Sequence, residues 1–273
     1  MKLEKALEIV CLTDPGRRRS HNEDQVAGLA EIGLVILADG MGGHNAGEVA
    51  SGLAVNLIAE QVRVYLADQS ERLVFDKNFA ATALLECIEA VNAQIYADAQ
   101  RDPHHAGMGT TLVAGWFLDN RLAVGHVGDS RLYRFRDGRL NRLTRDHSLL
   151  QMQLDSGLIS PEQARQSSHR HIVTRAVGAD PAVEPSITTH AVSVGDMYIL
   201  CSDGLTDLVD DDEIAAILRV MQDNLSLAAR QLIRMANDRG GNDNISVALV
   251  KVRGDFSTPR SLWTKMLAIL GRK

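Results

Sequence analysis

The sequence predicts an α+β domain in which mixed β-sheets are covered by layers of helices. Apolar runs of strand length, several of them rich in Val and Ile, occur in the middle of the chain and near both ends. Amphipathic helical patterns instead cluster in two blocks, around residues 45–100 and 211–238. Because strands and helices are segregated in this way, a regular strand–helix alternation around one parallel sheet is disfavoured.

The composition indicates a folded protein with a sizeable core. The 273 residues suit one large domain with a short appendage, and 45% hydrophobic with 23% charged residues excludes a mostly disordered chain. Lys and Arg number 29 against 35 Asp and Glu, which gives a net charge of −6. The chain therefore lacks the overall positive field of a generic nucleic-acid binder or acidic-membrane binder.

Each predicted element has a local signature. The predicted strands are Leu34–Ala38, Leu112–Phe117, Leu122–Val127, Tyr198–Cys201 and Ile245–Val252. The apolar helical faces are Leu84, Ile88, Val91 and Ile95, then Ile214, Ile217, Leu218 and Met221, then Ala229, Leu232, Ile233 and Ala236. Gly240-Gly241 predicts the end of the last helix, because glycine adopts the left-handed conformation without a Cβ clash. Asp137-Gly138 predicts a hairpin turn.

A polar segment, residues 146–171, interrupts this order. It contains His147, His169 and His171, and a helix start with Ser160 at the cap and Pro161 in the first turn. We interpret the segment as a flap inserted in the domain. The residues after Gly254 look like an appendage, so the predicted units are 1–254 and 255–273.

Cysteine usage and the chain ends predict a cytoplasmic protein. The three cysteines are odd in number and far apart, which favours buried thiols in a reducing compartment over a disulfide framework or a thiolate metal site. The N-terminus has acidic residues where a signal peptide needs apolar ones, and no apolar run is long enough for a membrane span. Leu262–Leu270 predicts a terminal helix packed on the domain, with a membrane-surface anchor as the alternative.

Two Asp-Gly pairs follow apolar runs of strand length. Asp39-Gly40 comes directly after Leu34–Ala38, and Asp203-Gly204 comes just after Tyr198–Cys201. The end of a strand fixes the direction of a carboxylate, and the glycine leaves its own carbonyl open to a ligand. Neither pair is followed by a matching strand, as a hairpin would require. A simple turn and a ligand site remain open for both pairs.

Further acids lie at predicted strand borders. Asp129 and Asp243 follow or adjoin glycines, and Glu23 lies near the start of the chain. Oxygen ligands of this kind suit hard divalent ions such as Mg²⁺ or Mn²⁺, and their dispersion along the chain excludes a local EF-hand loop. Spacing alone does not show that these acids converge.

Six motifs, in this order, resemble those of bacterial metal-dependent protein phosphatases, the PPM family or protein phosphatase type 2C. They are Thr13-Asp14-Pro15-Gly16-Arg17-Arg18-Arg19-Ser20-His21-Asn22-Glu23-Asp24, Leu37-Ala38-Asp39-Gly40-Met41-Gly42-Gly43-His44, Gly107-Met108-Gly109-Thr110-Thr111, Gly125-His126-Val127-Gly128-Asp129-Ser130-Arg131, Cys201-Ser202-Asp203-Gly204-Leu205 and Gly241-Asn242-Asp243-Asn244-Ile245. The resemblance extends from about residue 8 to residue 252, and residues 1–254 would be the catalytic domain.

The resemblance implies a four-layer α/β/β/α sandwich, in which two antiparallel sheets pack face to face and helices cover each. It also implies a set of metal positions. Asp39 would bridge two ions, Mn²⁺ or Mg²⁺, with the Gly40 carbonyl on one of them. Asp203 and Asp243 would bind the other ion, and Glu23 would hold waters of the first. Asp129, with Asp203, would match a third, weaker metal position beside the flap.

The resemblance further implies protein-serine/threonine phosphatase activity, in which a metal-bridging hydroxide attacks phosphorus in line without a phosphoenzyme. Arg19 occupies the arginine position of the first motif and would bind phosphate oxygens. His44 is the candidate general acid, but eukaryotic relatives have histidine directly after Asp-Gly, where Met41 lies here, so a surface-loop histidine is the alternative. His126 and Cys201 fit core positions better than catalytic ones.

The expected partners are proteins phosphorylated on Ser or Thr, including a cognate Ser/Thr kinase and its targets; no nucleic acid is expected, and the chain is expected to be a monomer. The alternative is a catalytically silent phosphoprotein-binding module on the same fold. A dinucleotide site at Gly40-Met41-Gly42 is disfavoured because Asn45 takes the third glycine position. A phosphate-loop motif is absent, and no basic, aromatic stripe indicates a nuclease.

Overall fold

The computed structural model describes residues 3–43, 46–68, 76–165 and 172–257. The strands are β1 (Leu7–Asp14), β2 (Asp24–Leu29), β3 (Leu34–Met41), β4 (Gly109–Thr110), β5 (Leu112–Leu118), β6 (Arg121–Val127), β7 (Arg131–Arg136), β8 (Arg139–Arg142), β9 (Ser186–Ala191), β10 (Met197–Cys201) and β11 (Ile245–Val252). The helices are α1 (Leu3–Ala6), α2 (Ala46–Asp68), α3 (Phe79–Arg101), α4 (Leu149–Asp155), α5 (Pro161–Arg165), α6 (Asp203–Thr206), α7 (Asp211–Met221) and α8 (Leu225–Asp238).

The strands form two antiparallel sheets. One sheet has the order β1-β11-β10-β7-β8, and the other has the order β2-β3-β5-β6-β9, with β4 paired to β3. The first and last strands are neighbours, and their register places Asp14 opposite Ile245. In the second sheet Asp24 lies opposite Asp39. These two registers bring the loop between β1 and β2 to the loop before β11 and to the end of β3.

The two sheets pack face to face, and a pair of helices covers each outer face. Strand β3 is apolar at successive positions because both of its faces are buried. Leu34 and Ile36 pack with α2 and α3, whereas Val35 and Leu37 face the core between the sheets, and all four side chains are fully buried. A strand buried on both faces needs apolar residues at successive positions. Helices α7 and α8 cover the other sheet.

This arrangement is the α/β/β/α sandwich that the motifs implied, so the predicted fold class is confirmed. The predicted strands are present, most of them with bounds extended by one to three residues. Asp137 and Gly138 have φ of +52° and +75°, and Arg136 pairs with Arg139 across them. This pair is therefore the two-residue hairpin turn that the sequence predicted. Gly240, at φ +126°, follows the end of α8 as expected.

The predicted flap is described in part. Helix α4 is capped by Ser148, whose Oγ accepts a hydrogen bond from the Gln151 amide (3.2 Å), and Ser160 Oγ accepts one from the Gln163 amide (3.3 Å) at the start of α5. Residues 166–171, with His169 and His171, lie outside the described residues, as does Leu262–Leu270. The domain boundary at residue 254 stays a prediction.

The cysteines are free, and two of the three are buried as predicted. Cys87 and Cys201 are in the core, whereas Cys11 is half-buried at the face of β1. Among the residues that the structure describes, no helix combines the length and the apolar character that crossing a membrane requires.

Candidate active site

One cleft, of about 1050 Å³, brings together the five acids that lie far apart in the sequence. It is lined by Glu23, Asp39, Asp129, Asp203 and Asp243, and also by Arg19 and Gly40. Asp39 lies near the end of β3, Asp203 begins α6 directly after β10, and Asp243 precedes β11. The acids converge because strand ends from both sheets meet at the same edge of the sandwich.

Asn244 fastens the N-terminal loop to the floor of the cleft. Its side-chain Nδ2 donates hydrogen bonds to the carbonyls of Pro15 and His21, both at 3.0 Å. Its Oδ1 accepts a hydrogen bond from the Glu23 amide at 2.8 Å. The Asn244 side chain is buried, so these bonds are shielded from water. Glu23 is thereby held beside Asp243, the immediate neighbour of Asn244 in the chain.

Gly40 lies where no side chain fits. A Cβ on this residue would lie 2.1 Å from the Gly47 carbonyl oxygen and 2.7 Å from the Glu23 carbonyl oxygen. The Gly40 amide itself donates to the Glu23 carbonyl at 3.1 Å. The close approach of α2 and of the Glu23 backbone therefore requires glycine directly after Asp39.

Thr111 joins the Asp39 backbone to the loop that carries Asp129. Its Oγ1 accepts a hydrogen bond from the Asp39 amide (3.0 Å), and its own amide donates to the Asp39 carbonyl (2.8 Å). The same Oγ1 lies 2.7 Å from Ser130 Oγ, and both hydroxyls are buried. Thr111 thus links the motif that contains Asp39 to the motif that contains Asp129.

Asp24 is a buried acid beside the cleft, and the sequence analysis assigned no role to it. It lies opposite Asp39 in the β2–β3 register, is buried, and accepts a hydrogen bond from Ser202 Oγ at 2.8 Å. Ser202 Oγ in turn accepts one from the Ser246 amide at 3.0 Å. The signal was present, because Asp24 follows Glu23 at the start of a strand, but the face on which it lies depends on strand register.

The acids raise one another's pKa. Burial is the main reason that the pKa of Asp39 lies well above its usual range, and the charges of Asp24, Asp203, Asp129 and Asp243 add to the effect. Burial, followed by the charge of Asp203, raises the pKa of Asp129 to about 7. Burial also raises that of Asp24 to about 7. The cleft floor therefore carries negative charge that the surrounding protein compensates poorly.

The donor set fits divalent cations. The Glu23 Oε1 atom is buried and accepts no hydrogen bond within the described residues. No three His, Cys, Asp or Glu side chains in the described part of the chain form a group that could hold a metal ion as they stand. Mg²⁺, however, takes one or two carboxylates and keeps several waters, so acids spread along a wide cleft match its chemistry. Carboxylate and carbonyl oxygens suit Mn²⁺ equally.

Arg19 is the cation that reaches the floor of the cleft. Its Nη2 donates to Asp243 Oδ2 at 2.7 Å, and the two side chains are 50% and 38% exposed. The guanidinium therefore remains accessible from solvent while the carboxylate fixes one of its edges.

The flap and the strand next to it meet through two stacked histidines. The rings of His126 and His147 lie 4.6 Å apart with an interplanar angle of 23°. His126 is buried, as predicted, and its Nε2 lies 2.8 Å from the Arg145 carbonyl. The His147 amide donates to the Gly128 carbonyl at 2.9 Å. This pair joins the base of the flap to the loop that carries Asp129.

The remaining candidate residues lie elsewhere. His44 lies outside the described residues. Cys201 is fully buried in the core beneath α7 and α8, so it is a packing residue as predicted. Ile172 and Val173, which directly follow the undescribed part of the flap, line the cleft and were not predicted.

Comparison with known proteins identifies the family. The profile of the family described as Protein phosphatase 2C matches residues 16–236. The chain is 39% identical over 246 residues to the serine/threonine protein phosphatase PstP of Mycobacterium tuberculosis, a match that covers 90% of this chain and 45% of PstP. The chain therefore spans less than half the length of that relative. It is 40% identical over 247 residues to the serine/threonine phosphatase stp of Listeria welshimeri, with 88% of this chain and 93% of that protein covered.

A solved structure supports the same grouping. The crystal structure of the catalytic domain of serine threonine protein phosphatase PstP in complex with two manganese ions matches with a TM-score of 0.79 and 37% identity, covering 91% of this chain and 99% of that one. The predicted family resemblance is confirmed, and the predicted enzyme class agrees with the names of these relatives. The chain belongs to the protein phosphatase 2C family.

Proposed function

We propose that this chain hydrolyses phosphoserine and phosphothreonine esters in proteins with the help of divalent cations, Mn²⁺ or Mg²⁺. The observation that carries the proposal is the convergence of four acids, Glu23, Asp39, Asp203 and Asp243, on a cleft that also contains Arg19. Family membership supports it, since the relatives are named serine/threonine phosphatases.

The proposed assignment of the acids follows the family resemblance of their motifs. Asp39 would bridge two cations, the Gly40 carbonyl and Glu23 would serve the first, and Asp203 and Asp243 would serve the second. Asp129 would contribute, with Asp203, to a third position. When bound, the cations would neutralise phosphate charge and activate a water as the nucleophile, so that no phosphoenzyme is needed.

The protein's own residues would position the substrate. Arg19 presents a planar guanidinium that can bind two phosphate oxygens at once, a geometry unavailable to lysine. Its hydrogen bond to Asp243 holds this group beside a carboxylate that would bind a cation. Thr111 binds both the amide and the carbonyl of Asp39, which would hold in place the strand end that carries the carboxylate. His44 stays the proposed general acid for the departing Ser or Thr oxygen.

The expected biological partners remain proposals. Phosphorylated Ser/Thr proteins would be the substrates, with a cognate Ser/Thr kinase and its targets among them. A cytoplasmic location and a monomeric state stay predictions from the sequence.

The test is the release of inorganic phosphate from a phosphothreonine peptide, with MnCl₂ or MgCl₂ and with EDTA. We expect metal-dependent turnover in wild type, and none in Asp39→Asn, because an amide is a far weaker cation ligand than the carboxylate it replaces. Circular dichroism serves as the control that the variant is folded. Binding of the peptide without turnover in wild type would establish the silent-module alternative, and full activity of Asp39→Asn would refute the bridging role.

A further inference from the structure

Two arginines that directly precede Arg19, a residue lining the cleft, take no part in the proposed chemistry. Arg17 and Arg18 precede Arg19 in a run of three arginines, in a chain whose net charge is −6. Arg19 pairs with Asp243, but Arg17 and Arg18 are exposed, and neither forms an ion pair with a carboxylate within the described residues. The loop that carries Arg17 and Arg18, called the rim below, therefore has two positive charges without a described carboxylate partner, and it leads directly into Arg19 at the acidic floor.

The backbone that carries these arginines is fixed against the floor. The amides of Arg17 and Arg18 both donate to the Gly241 carbonyl, at 2.8 and 3.1 Å. Gly16 has φ +79°, and a Cβ there would lie 2.2 Å from the Asp243 carbonyl oxygen. Together with the bond from Asn244 to Pro15, these contacts hold the loop tightly against the segment that carries Asp243. The arginine side chains consequently start from a rigid base.

The charge of the floor explains why a rim of this kind is useful. The five acids that line the floor carry up to five negative charges, and two divalent cations would offset four of them, so the floor keeps a residual repulsion toward an additional anion on the substrate. A positive rim offsets this repulsion for anions a short distance from the bound phosphate. The effect acts within about 10 Å at 0.1 M ionic strength, which covers neighbouring residues of an extended peptide.

We propose that Arg17 and Arg18 bind an anionic group of the substrate polypeptide, either an acidic side chain or a second phosphate, beside the phosphoresidue in the cleft. The inference rests on the proposed phosphatase function. Arg17 and Arg18 directly precede Arg19 in the chain, so an anion that they bind would lie within a few residues of the phosphoresidue that Arg19 binds. Arginine suits both carboxylate and phosphate because its fork binds either group through two hydrogen bonds.

The experiment compares three phosphothreonine peptides of equal length, one with neutral flanking residues, one with Glu at the flanks and one with a second phosphothreonine, and also p-nitrophenyl phosphate. The variant is the double substitution Arg17→Ala/Arg18→Ala. The matched control is Arg139→Ala/Arg230→Ala, which removes the same charge from exposed positions on β8 and α8. A further variant, Arg17→Lys/Arg18→Lys, keeps the charge and removes the fork.

We expect the double alanine variant to raise KM about three- to tenfold for the two anionic peptides, with kcat retained, since exposed ion pairs are individually weak. The neutral peptide and p-nitrophenyl phosphate should be unaffected, and the control variant should change none of the four substrates. The difference should shrink at 0.5 M NaCl. Equal effects on neutral and anionic peptides would overturn the proposal.

A second readout separates this inference from the phosphatase proposal. If wild type hydrolyses none of the four substrates, the proposed function fails, and fluorescence anisotropy with the same labelled peptides still decides the inference. Tighter binding of the anionic peptides that disappears in Arg17→Ala/Arg18→Ala would support the rim site. Equal binding of neutral and anionic peptides by wild type would overturn it.

Discussion

The floor and the rim of the cleft differ in charge and in exposure, although contacts with the same loop segment fix both. On the floor, Asp129 is buried, and burial together with the charge of Asp203 raises its pKa to about 7. On the rim, Arg17 and Arg18 are exposed and face solvent. Both regions are fixed by the segment of residues 241–244, through Asn244 for Glu23 and through the Gly241 carbonyl for the arginines.

The contrast between floor and rim suggests a way for a protein with net negative charge to admit the proposed anionic substrate. Buried carboxylates interact strongly because little water screens them, so their charge must be offset by bound cations. Exposed arginines are screened and contribute weakly to binding, but they can distinguish one polypeptide from another. Changes to the floor should therefore abolish or impair turnover, whereas changes to the rim should alter substrate preference.

Arg19 connects the two regions, and its removal should have the largest effect among the three changes considered next. Arg19→Ala would delete the proposed charged hydrogen-bonding partner of phosphate, a loss of roughly 1.5–3 kcal/mol. We therefore expect kcat/KM to fall about 10- to 150-fold for a phosphopeptide and for a small aryl phosphate alike. Steady-state kinetics with both substrates measures the change.

Arg19→Lys is the matched variant, because it retains the charge next to Asp243 but lacks the planar fork. If the fork binds phosphate, lysine recovers a minor part of the lost kcat/KM. Full recovery would mean that Arg19 acts through its charge on Asp243 alone. Unchanged hydrolysis by Arg19→Ala would remove Arg19 from the substrate site.

Thr111 tests whether the floor depends on rigid support. Thr111→Val retains the shape of the side chain but leaves the Asp39 amide and the Ser130 hydroxyl without this partner. Unsatisfied buried polar groups cost about 1–3 kcal/mol, so the urea midpoint should fall. Loss of the Thr111 hydrogen bond should also shift the backbone that carries Asp39, so kcat should fall as well.

Thr144→Val provides the control for that substitution. Thr144 is also buried, and its Oγ1 accepts a hydrogen bond from the Leu132 amide at 3.0 Å, but it does not line the cleft. We expect a similar loss of stability with kcat retained. If both variants lose stability and neither loses kcat, Thr111 has a structural role and does not support the chemistry.

The sequence predicted the layers and the family well because both depend on local signals. The continuous apolar run of β3 predicts a strand, and Asp39-Gly40 belongs to one of the ordered motifs. The sequence did not predict that Asp24 lies opposite Asp39, because β2 was not among the predicted strands. Without that strand, neither its register with β3 nor the face on which Asp24 lies could be inferred.

The cleft wall next to the flap was predicted least well. His147 was recognised as a polar residue of the flap, but its stacking on His126 was not. Such a contact joins β6 to a segment about twenty residues away, and each histidine alone resembles many others. Ile172 and Val173 were missed for a related reason, since two apolar residues beside a polar segment carry no signal for a cleft.

The smallest expected effect concerns the stacked histidines, and it is a change in the pH dependence of stability. The Gly128 amide donates to His147 Nδ1 at 3.3 Å, so the neutral ring carries its proton on Nε2, which lies 2.9 Å from Ser186 Oγ. Burial, followed by the positive charges of His126 and Arg175, lowers the pKa of His147 from 6.5 to about 4, against the opposing charge of Asp146. The native state therefore favours the neutral ring.

A histidine with a lowered native pKa stabilises the fold fully above its unfolded pKa and loses that contribution as pH falls. The window for His147 runs from about pH 6.5 down to about pH 4. His147→Gln, which cannot titrate, should lose less of its stability across this window than wild type, by about 1 kcal/mol because the ring is partly exposed and screened. Urea unfolding at pH 7.5, 6.5, 5.5 and 4.5 measures the difference, and His104→Gln, at an exposed position, should behave as wild type. Parallel pH curves for wild type and His147→Gln would show that the pair does not couple protonation to folding, and that the wall next to the flap is as insensitive to acid as the exposed rim.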